Sequence, residues 1–319
     1  MHKSIPELAI RKQQQEDKRS LPVSSDKWIE HMRQGDFENA WKFSDMVLKS
    51  GINRDYQTQP RHFQCIWDGT PLVGKRVLIR CYHGLGDTIQ FIRYAPLVKS
   101  LAREVIVWAQ PSLFDLLKSV SGIDRLLPLH NGNPEAEYDV DIEIMELPHV
   151  FRTVLSTIPS RVPYLFADPV FLNDAQTRLS VGLVWRAGDW DQSRNIPFSL
   201  LKPMFGLQNV DIYILQANAR AAGWEKGWGI HPGEFGILDY ARIIKGLDLI
   251  ISVDSMPAHL AGALGAPVWV MLRKFADWRW MEHRMDSPWY PSMKLFRQKN
   301  EGNWDGMIAE VMAALKNFK

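Results

Sequence analysis

The chain has 319 residues, 46% of them hydrophobic and 23% charged, which is ordinary for a folded protein with room for two sizeable cores and excludes a disordered chain. The 38 Lys and Arg against 36 Asp and Glu leave a net charge of only +2, so no global basic field calls for nucleic acid or an anionic membrane. An anionic ligand would have to be met locally.

Residues 1 to 24 lack periodicity and are expected to form a flexible N-terminus. They are polar, with no apolar stretch of signal-peptide type, and no run of about 18 apolar residues follows anywhere. Two cysteines, Cys65 and Cys81, cannot build a metal cluster alone, and Cys81 falls in an apolar strand where a buried thiol is expected. A soluble protein of a reducing, cytoplasmic compartment is predicted, which leaves open a loose association with the inner membrane.

A helical extension is read over 25–66. Within it, Trp28 to Leu48 forms two short helices turning at Gly35 and Asp36, with Phe37, Ala40, Ser44, Val47 and Leu48 on one face. The segment Gly-Asp-Phe-x-x-Ala, followed by Val-Leu, resembles half to one unit of a tetratricopeptide repeat. Such a unit cannot bury its face alone, so it must dock on the main body or on another copy of the chain.

The first α/β domain is read over 67–165. Gly74 to Cys81 is a strand, and the loop His83-Gly84-Leu85-Gly86-Asp87 leads into a helix from about Thr88 to Leu101 with Phe91, Tyr94, Ala95, Val98 and Leu101 as its apolar stripe. Glu104 to Ala109 is a second strand, Pro111 to Val120 a second helix and Arg125 to Leu129 a third strand. Tyr138 to Met145 alternates, which predicts a less buried strand, followed by a helix around His149 to Leu155. Three prolines between Ser156 and Ser180 interrupt the pattern and mark the boundary.

The second α/β domain is read over 175–302 and begins in the same way. Val181 to Trp185 is a strand, a polar loop follows, and a helix near Phe198 to Met204 leads to the strand Asp211 to Gln216. Leu249 to Val253 is an unbroken apolar run that ends at Asp254, as in a strand buried on both faces. Ser255 is the expected N-cap of the next helix, with Pro257 in its first turn. Nine of the 13 Trp fall after residue 180, suited to packing or to a stacking wall for a flat ligand. A C-terminal helix closes the chain over 303–319. Strands alternating with helices predict parallel sheets, whose ligands lie outside the C-terminal ends of the strands.

The chemistry is therefore sought at strand ends. Gly84 and Gly86 can bring backbone close to a ligand, but no third glycine completes a dinucleotide fingerprint. Asp87, at a helix N-terminus in the crevice, is placed as a general base or as a plain cap. Arg186 and Arg194 suit a diphosphate, since each fork donates to two oxygens, and the alternative is surface pairing with Asp189 and Asp191. Gln216, His231 and Asp239 are further strand-end or loop candidates. No spacing suggests a metal, and no Gly-x-Ser-x-Gly elbow appears.

Taken together, GLGDTIQFIRYAPLVKSL, WRAGDWDQSRNIP and ISVDSMPAHLAGALGAPVWVML resemble the bacterial heptosyltransferase family, glycosyltransferase family 9, and more closely its relatives in which a tetratricopeptide region precedes the transferase. The resemblance covers about Trp67 to Lys316. It implies a GT-B fold, two Rossmann-like domains facing a cleft, with a nucleotide-diphosphate sugar on the C-terminal domain and the acceptor on the N-terminal one. By position Asp87 matches the catalytic base, with Gly84, Gly86 and Thr88 on the acceptor loop. Arg194 falls on the donor phosphates, with Arg186 and Gln216 beside it, and Asp254, Ser255 and His259 match the donor motif. The family inverts the anomeric centre with no metal and no further cofactor. One departure is Met271-Leu272-Arg273-Lys274-Phe275, where the family often carries a Gly-Pro-Thr turn.

The expected function is an inverting glycosyltransferase acting on a glycan, lipid-linked or protein acceptor. The alternative is a non-catalytic nucleotide-sugar-binding or scaffold protein of the same fold, and an epimerase is a third reading. The expected partners are donor and acceptor, with no nucleic acid and with self-association through the N-terminal helices.

Overall fold

In a computed structural model of the chain, residues 24–50, 69–172, 178–188 and 190–318 are described. The N-terminal stretch through residue 23, the end of the helical extension with Cys65, and Asp189 lie outside them. Two parallel sheets are present. The first orders its strands β3-β2-β1-β4, from Arg76–Arg80 (β1), Glu104–Ala109 (β2), Arg125–Pro128 (β3) and Val140–Glu143 (β4). The second orders them β6-β5-β7-β8-β9, from Leu179–Val184 (β5), Val210–Ile214 (β6), Leu249–Val253 (β7), Val268–Leu272 (β8) and Met293–Arg297 (β9). In each sheet the chain reverses direction of winding beside its first strand, at β1/β4 and at β5/β7. Crevices for ligands open at such switch points.

Several local expectations change for physical reasons. The helix predicted from Thr88 to Leu101 is two helices, Leu85–Phe91 and Ala95–Leu101, joined by a 3₁₀ turn over Ile92–Tyr94. Pro96 opens the second helix, because a proline inside one continuous helix would lose a hydrogen bond and clash with the preceding turn. Leu101, expected on the apolar stripe, is 45% exposed. The strand Val140–Glu143 is not half exposed: all four residues are buried. Its polar members are taken inward, where Asp141 pairs with the fully buried Arg80 of β1.

The extension forms two helices, Ser24–Gln34 and Phe37–Ser50, with the turn at Gly35 in the left-handed region at φ +77°. Their common face is covered by the chain's own body. Met32, Phe37, Ala40 and Trp41 are buried, Trp41 Nε1 donates to the Thr153 carbonyl at 2.7 Å, and Trp28 meets Trp278 edge-on at 5.7 Å. The Glu282 N–H donates to the Arg33 carbonyl at 2.8 Å. Of the two expected docking places, the main body is the one these residues meet, and the side chains of Val47 and Leu48 lie outside the described residues. One hydrophobic core runs through this hairpin, the first sheet and one face of the second, and another fills the opposite face of the second sheet. No described helix is long and apolar enough to cross a membrane.

Candidate active site

The two crevices face each other. The helix after β1 and the helix Met256–Ala263 after β7 pack end against end, and Gly86 sets the spacing, since a Cβ there would lie 3.0 Å from His259 Cδ2. Gly84 is the N-cap of the first helix, and its N–H donates to Asp87 Oδ2 at 2.9 Å. The other oxygen of Asp87 accepts from Arg279 Nη2 at 2.5 Å. Both oxygens of the expected base are therefore engaged. Thr88, the third residue expected on the acceptor loop, lies buried in the helix and donates its hydroxyl to Gln110 at 2.9 Å, towards the end of β2.

On the opposite side Asp254 is 8% exposed at the C-terminal end of β7. Burial pushes its carboxyl up to about 6, with the neighbouring Asp277 adding to the effect and Arg194 and Arg279 opposing it. Arg194 Nη1 donates to the Asp254 carbonyl at 3.0 Å and lies 3.9 Å from its Oδ2. Ser255 holds the N-cap position, yet its hydroxyl makes no capping bond and donates to the Val253 carbonyl at 3.1 Å. The expected side-chain cap is thus corrected: the hydroxyl is bonded to the strand, and the helix N–H groups are not used up by it. His259 stacks on Trp280 at 5.2 Å and its Nδ1 meets the Tyr290 hydroxyl at 3.0 Å. Burial, assisted by the charge of Arg279, lowers its pKa to about 3, so the ring is neutral.

The remaining expected donor residues lie on the adjoining loops. Gln216 Oε1 accepts from the N–H groups of Trp185 and Arg186, at 3.1 and 2.8 Å, which makes it a bracket for the loop after β5. The Arg186 guanidinium turns to the Ala221 carbonyl and to Gln192, both at 3.3 Å. The Asp191 carboxylate pairs with Arg273 at 3.0 Å, while the Arg194 side chain reaches only the Asp191 carbonyl, from Nε at 3.4 Å. His231 stacks on Trp224 at 5.0 Å beside a cavity of about 750 Å³ that none of the crevice residues lines. Asp239 pairs with Arg242 on its own helix.

Three residues of the crevice were not singled out in the sequence. Arg279 and Asp277 come from the segment before β9, whose Asp-Trp-Arg-Trp run carries no periodic signal. Glu143, at the end of β4, is buried with neither carboxylate oxygen hydrogen-bonded, and burial raises its pKa well above the usual range. His83 Nε2 stands 3.7 Å from it. Among the described residues no group of three or more His, Cys, Asp or Glu could hold a metal ion.

No family model matches the chain. A curated relative, Protein FlbA of Caulobacter vibrioides, is 25% identical over 299 residues, covering 79% of this chain and 48% of that protein. The chain thus spans about half the length of the curated relative it matches. Among solved structures, the glycosyl transferase family 9 protein from Veillonella parvula superposes with a TM-score of 0.58 at 12% identity, over 78% of this chain and 98% of that one. The fold is that of the family 9 glycosyltransferases. ADP-heptose lipopolysaccharide heptosyltransferase II of E. coli gives 0.51 at 13% identity, over 76% and 98% of the two chains. TibC, an iron-containing dodecameric glycosyltransferase of enterotoxigenic E. coli, gives 0.51 at 15% identity over 75% and 67%. In the family 9 fold, a GT-B arrangement, the two switch-point crevices meet where Asp87 and Asp254 stand.

Proposed function

We propose that the chain is an inverting, metal-independent glycosyltransferase that moves a sugar from a nucleotide-diphosphate sugar to an acceptor hydroxyl. Asp87 takes the hydroxyl proton, the freed oxygen attacks the anomeric carbon from the face opposite the diphosphate, and the bond from that carbon to the diphosphate oxygen breaks. Arg194 and the N-terminus of the Met256–Ala263 helix stabilise the departing charge. The observation that carries the reading is the bridge from Asp87 in the first α/β domain to Arg279 and Asp277 in the second, beside Asp254, which brings an acceptor-side carboxylate and a donor-side motif into one ion cluster. The finer parts of the proposal are the glycan, lipid-linked or protein acceptor, the cytoplasmic location, which accords with the buried free thiol of Cys81, and the branch carrying tetratricopeptide repeats, which rests on the helical hairpin.

A second reading, a non-catalytic sugar-nucleotide-binding protein, draws support from the engagement of both Asp87 oxygens. Release of nucleoside diphosphate from a panel of donors, followed together with calorimetric donor binding, separates the two. Asp87→Ala is expected to slow transfer by about 10² to 10⁴ while donor binding survives. Undiminished turnover in that variant removes Asp87 as the base, and binding without turnover by the unaltered protein favours the second reading.

A further inference from the structure

Arg279 belongs to the half of the molecule that carries Asp254, yet its shortest contact is to Asp87 of the other half. Its fork is unevenly used. Nη1 donates to Asp277 at 2.8 Å and Nη2 to Asp87 at 2.5 Å, while Nε is buried and makes no hydrogen bond. The residue is 7% exposed, with its guanidinium 4.9 Å from the Trp278 ring centroid and 5.5 Å from that of Phe91. Its charge is felt by Asp254 and by His259, the candidate donor residues.

The charges around it do not balance in favour of an anion. Asp87, Asp254 and Asp277 set three carboxylates against the cations of Arg194 and Arg279. A diphosphate entering beside Asp254 meets Arg194 and, as the second guanidinium of the cluster, Arg279, which is already held by two carboxylates. Desolvated charge-assisted bonds of this kind exchange one partner for another, because leaving either charge unpaired is costly.

We propose that Arg279 is a positioning residue shared in turn by Asp87 and the donor diphosphate. The diphosphate draws Nη2 away from Asp87, and loss of that charge-assisted bond raises the basicity of the oxygen that takes the proton. The inference rests on the glycosyltransferase reading and gives it an order: donor first, proton transfer second.

Inorganic pyrophosphate, titrated calorimetrically in the presence of a chelator, tests the sharing without knowledge of the sugar. Asp87→Asn is expected to bind it about tenfold more tightly than the unaltered protein, Arg279→Gln about tenfold more weakly, and adding Asp87→Asn to Arg279→Gln should change affinity by less than about twofold. An equal gain from Asp87→Asn with and without Arg279 overturns the sharing, since the effect would then be plain repulsion between charges, and leaves the donor-site reading standing. Absence of pyrophosphate binding in both the unaltered protein and Asp87→Asn overturns the donor-site reading and this inference with it. Thermal unfolding confirms that each variant is folded. Should Arg279→Gln fail there, Arg279→Met, which removes the charge and keeps most of the volume, takes its place under the same criterion.

Discussion

The guanidinium of Arg93 stands 4.5 Å from the ring centroid of Tyr164 and 4.5 Å from that of Tyr290. It also donates to the Trp289 carbonyl at 2.5 Å, to the Gln90 carbonyl at 2.7 Å and to the Tyr164 hydroxyl at 2.7 Å. An arginine of the first domain is thus fastened to the segment that precedes the last strand of the second. Arg93→Met keeps the volume but leaves those acceptors unsatisfied in a dry site. A loss of about 3 to 5 kcal/mol in urea unfolding is expected, and Arg93→Lys should recover only part of it, because an ammonium cannot reproduce the fork. A loss under about 1 kcal/mol for Arg93→Met would show that the contacts contribute little.

Asp254 and His259 pull the pH dependence of stability in opposite directions. Asp254 titrates at about 6 in the fold against 3.8 for an ordinary Asp, so between those values the folded state holds a proton that the unfolded state lacks. Its contribution declines as pH rises. His259 titrates at about 3 against 6.5, so the unfolded state holds the extra proton and its contribution grows as pH rises. Each slope is about 1.4 kcal/mol per pH unit, and between about pH 4 and 6 they offset one another. Relative to the unaltered protein, Asp254→Asn should therefore gain stability with rising pH across this window, and His259→Gln should lose it. Urea midpoints at three pH values decide the matter, and curves parallel to the unaltered protein would contradict it.

Phe37 is 1% exposed and its ring meets Trp41, Trp278 and Trp289 at 5.9, 6.5 and 6.3 Å. Phe37→Ala should cost about 3 to 5 kcal/mol, in a single transition that includes the sheets. A separate early transition of the hairpin, with the main unfolding unchanged, is the outcome that argues against this.

Gly86 lies on a helix, where alanine is ordinarily favoured by about 0.5 to 1 kcal/mol. Here an added Cβ meets His259, whose ring is fixed by Trp280 and Tyr290 and cannot give way. Gly86→Ala should therefore be destabilising by about 1 to 2 kcal/mol, and a rise in melting temperature would show that the two helix ends separate freely.

The strands were the most legible part of the chain because a strand buried on both faces must be an apolar run. Glu104–Ala109 and Leu249–Val253 emerge with the bounds read from the sequence. Periodicity misled where two devices share one spacing: the stripe from Phe91 to Val98 continues in register across the break at Pro96, and the charges of β4 imitate a solvent face although Asp141 is paired with Arg80. At the crevice, Asp87 and Asp254 could be found because strand ends are where such folds place ligands. Arg279 could not, since its partner is 192 positions away and nothing local marks a guanidinium aimed at another domain. Gln216 stands at a strand end as well, yet its carboxamide is consumed by backbone, which no spacing reveals.

The core shared by the hairpin and both sheets has a practical meaning for anyone dividing the molecule. The proline-rich connection between β4 and β5 looks like a place to cut, but the apolar surface on either side of it belongs to one continuous interior. Fragments made there would each carry an open half-core into water and should aggregate or remain unfolded, whereas co-expressed halves have the complementary faces needed to reassemble.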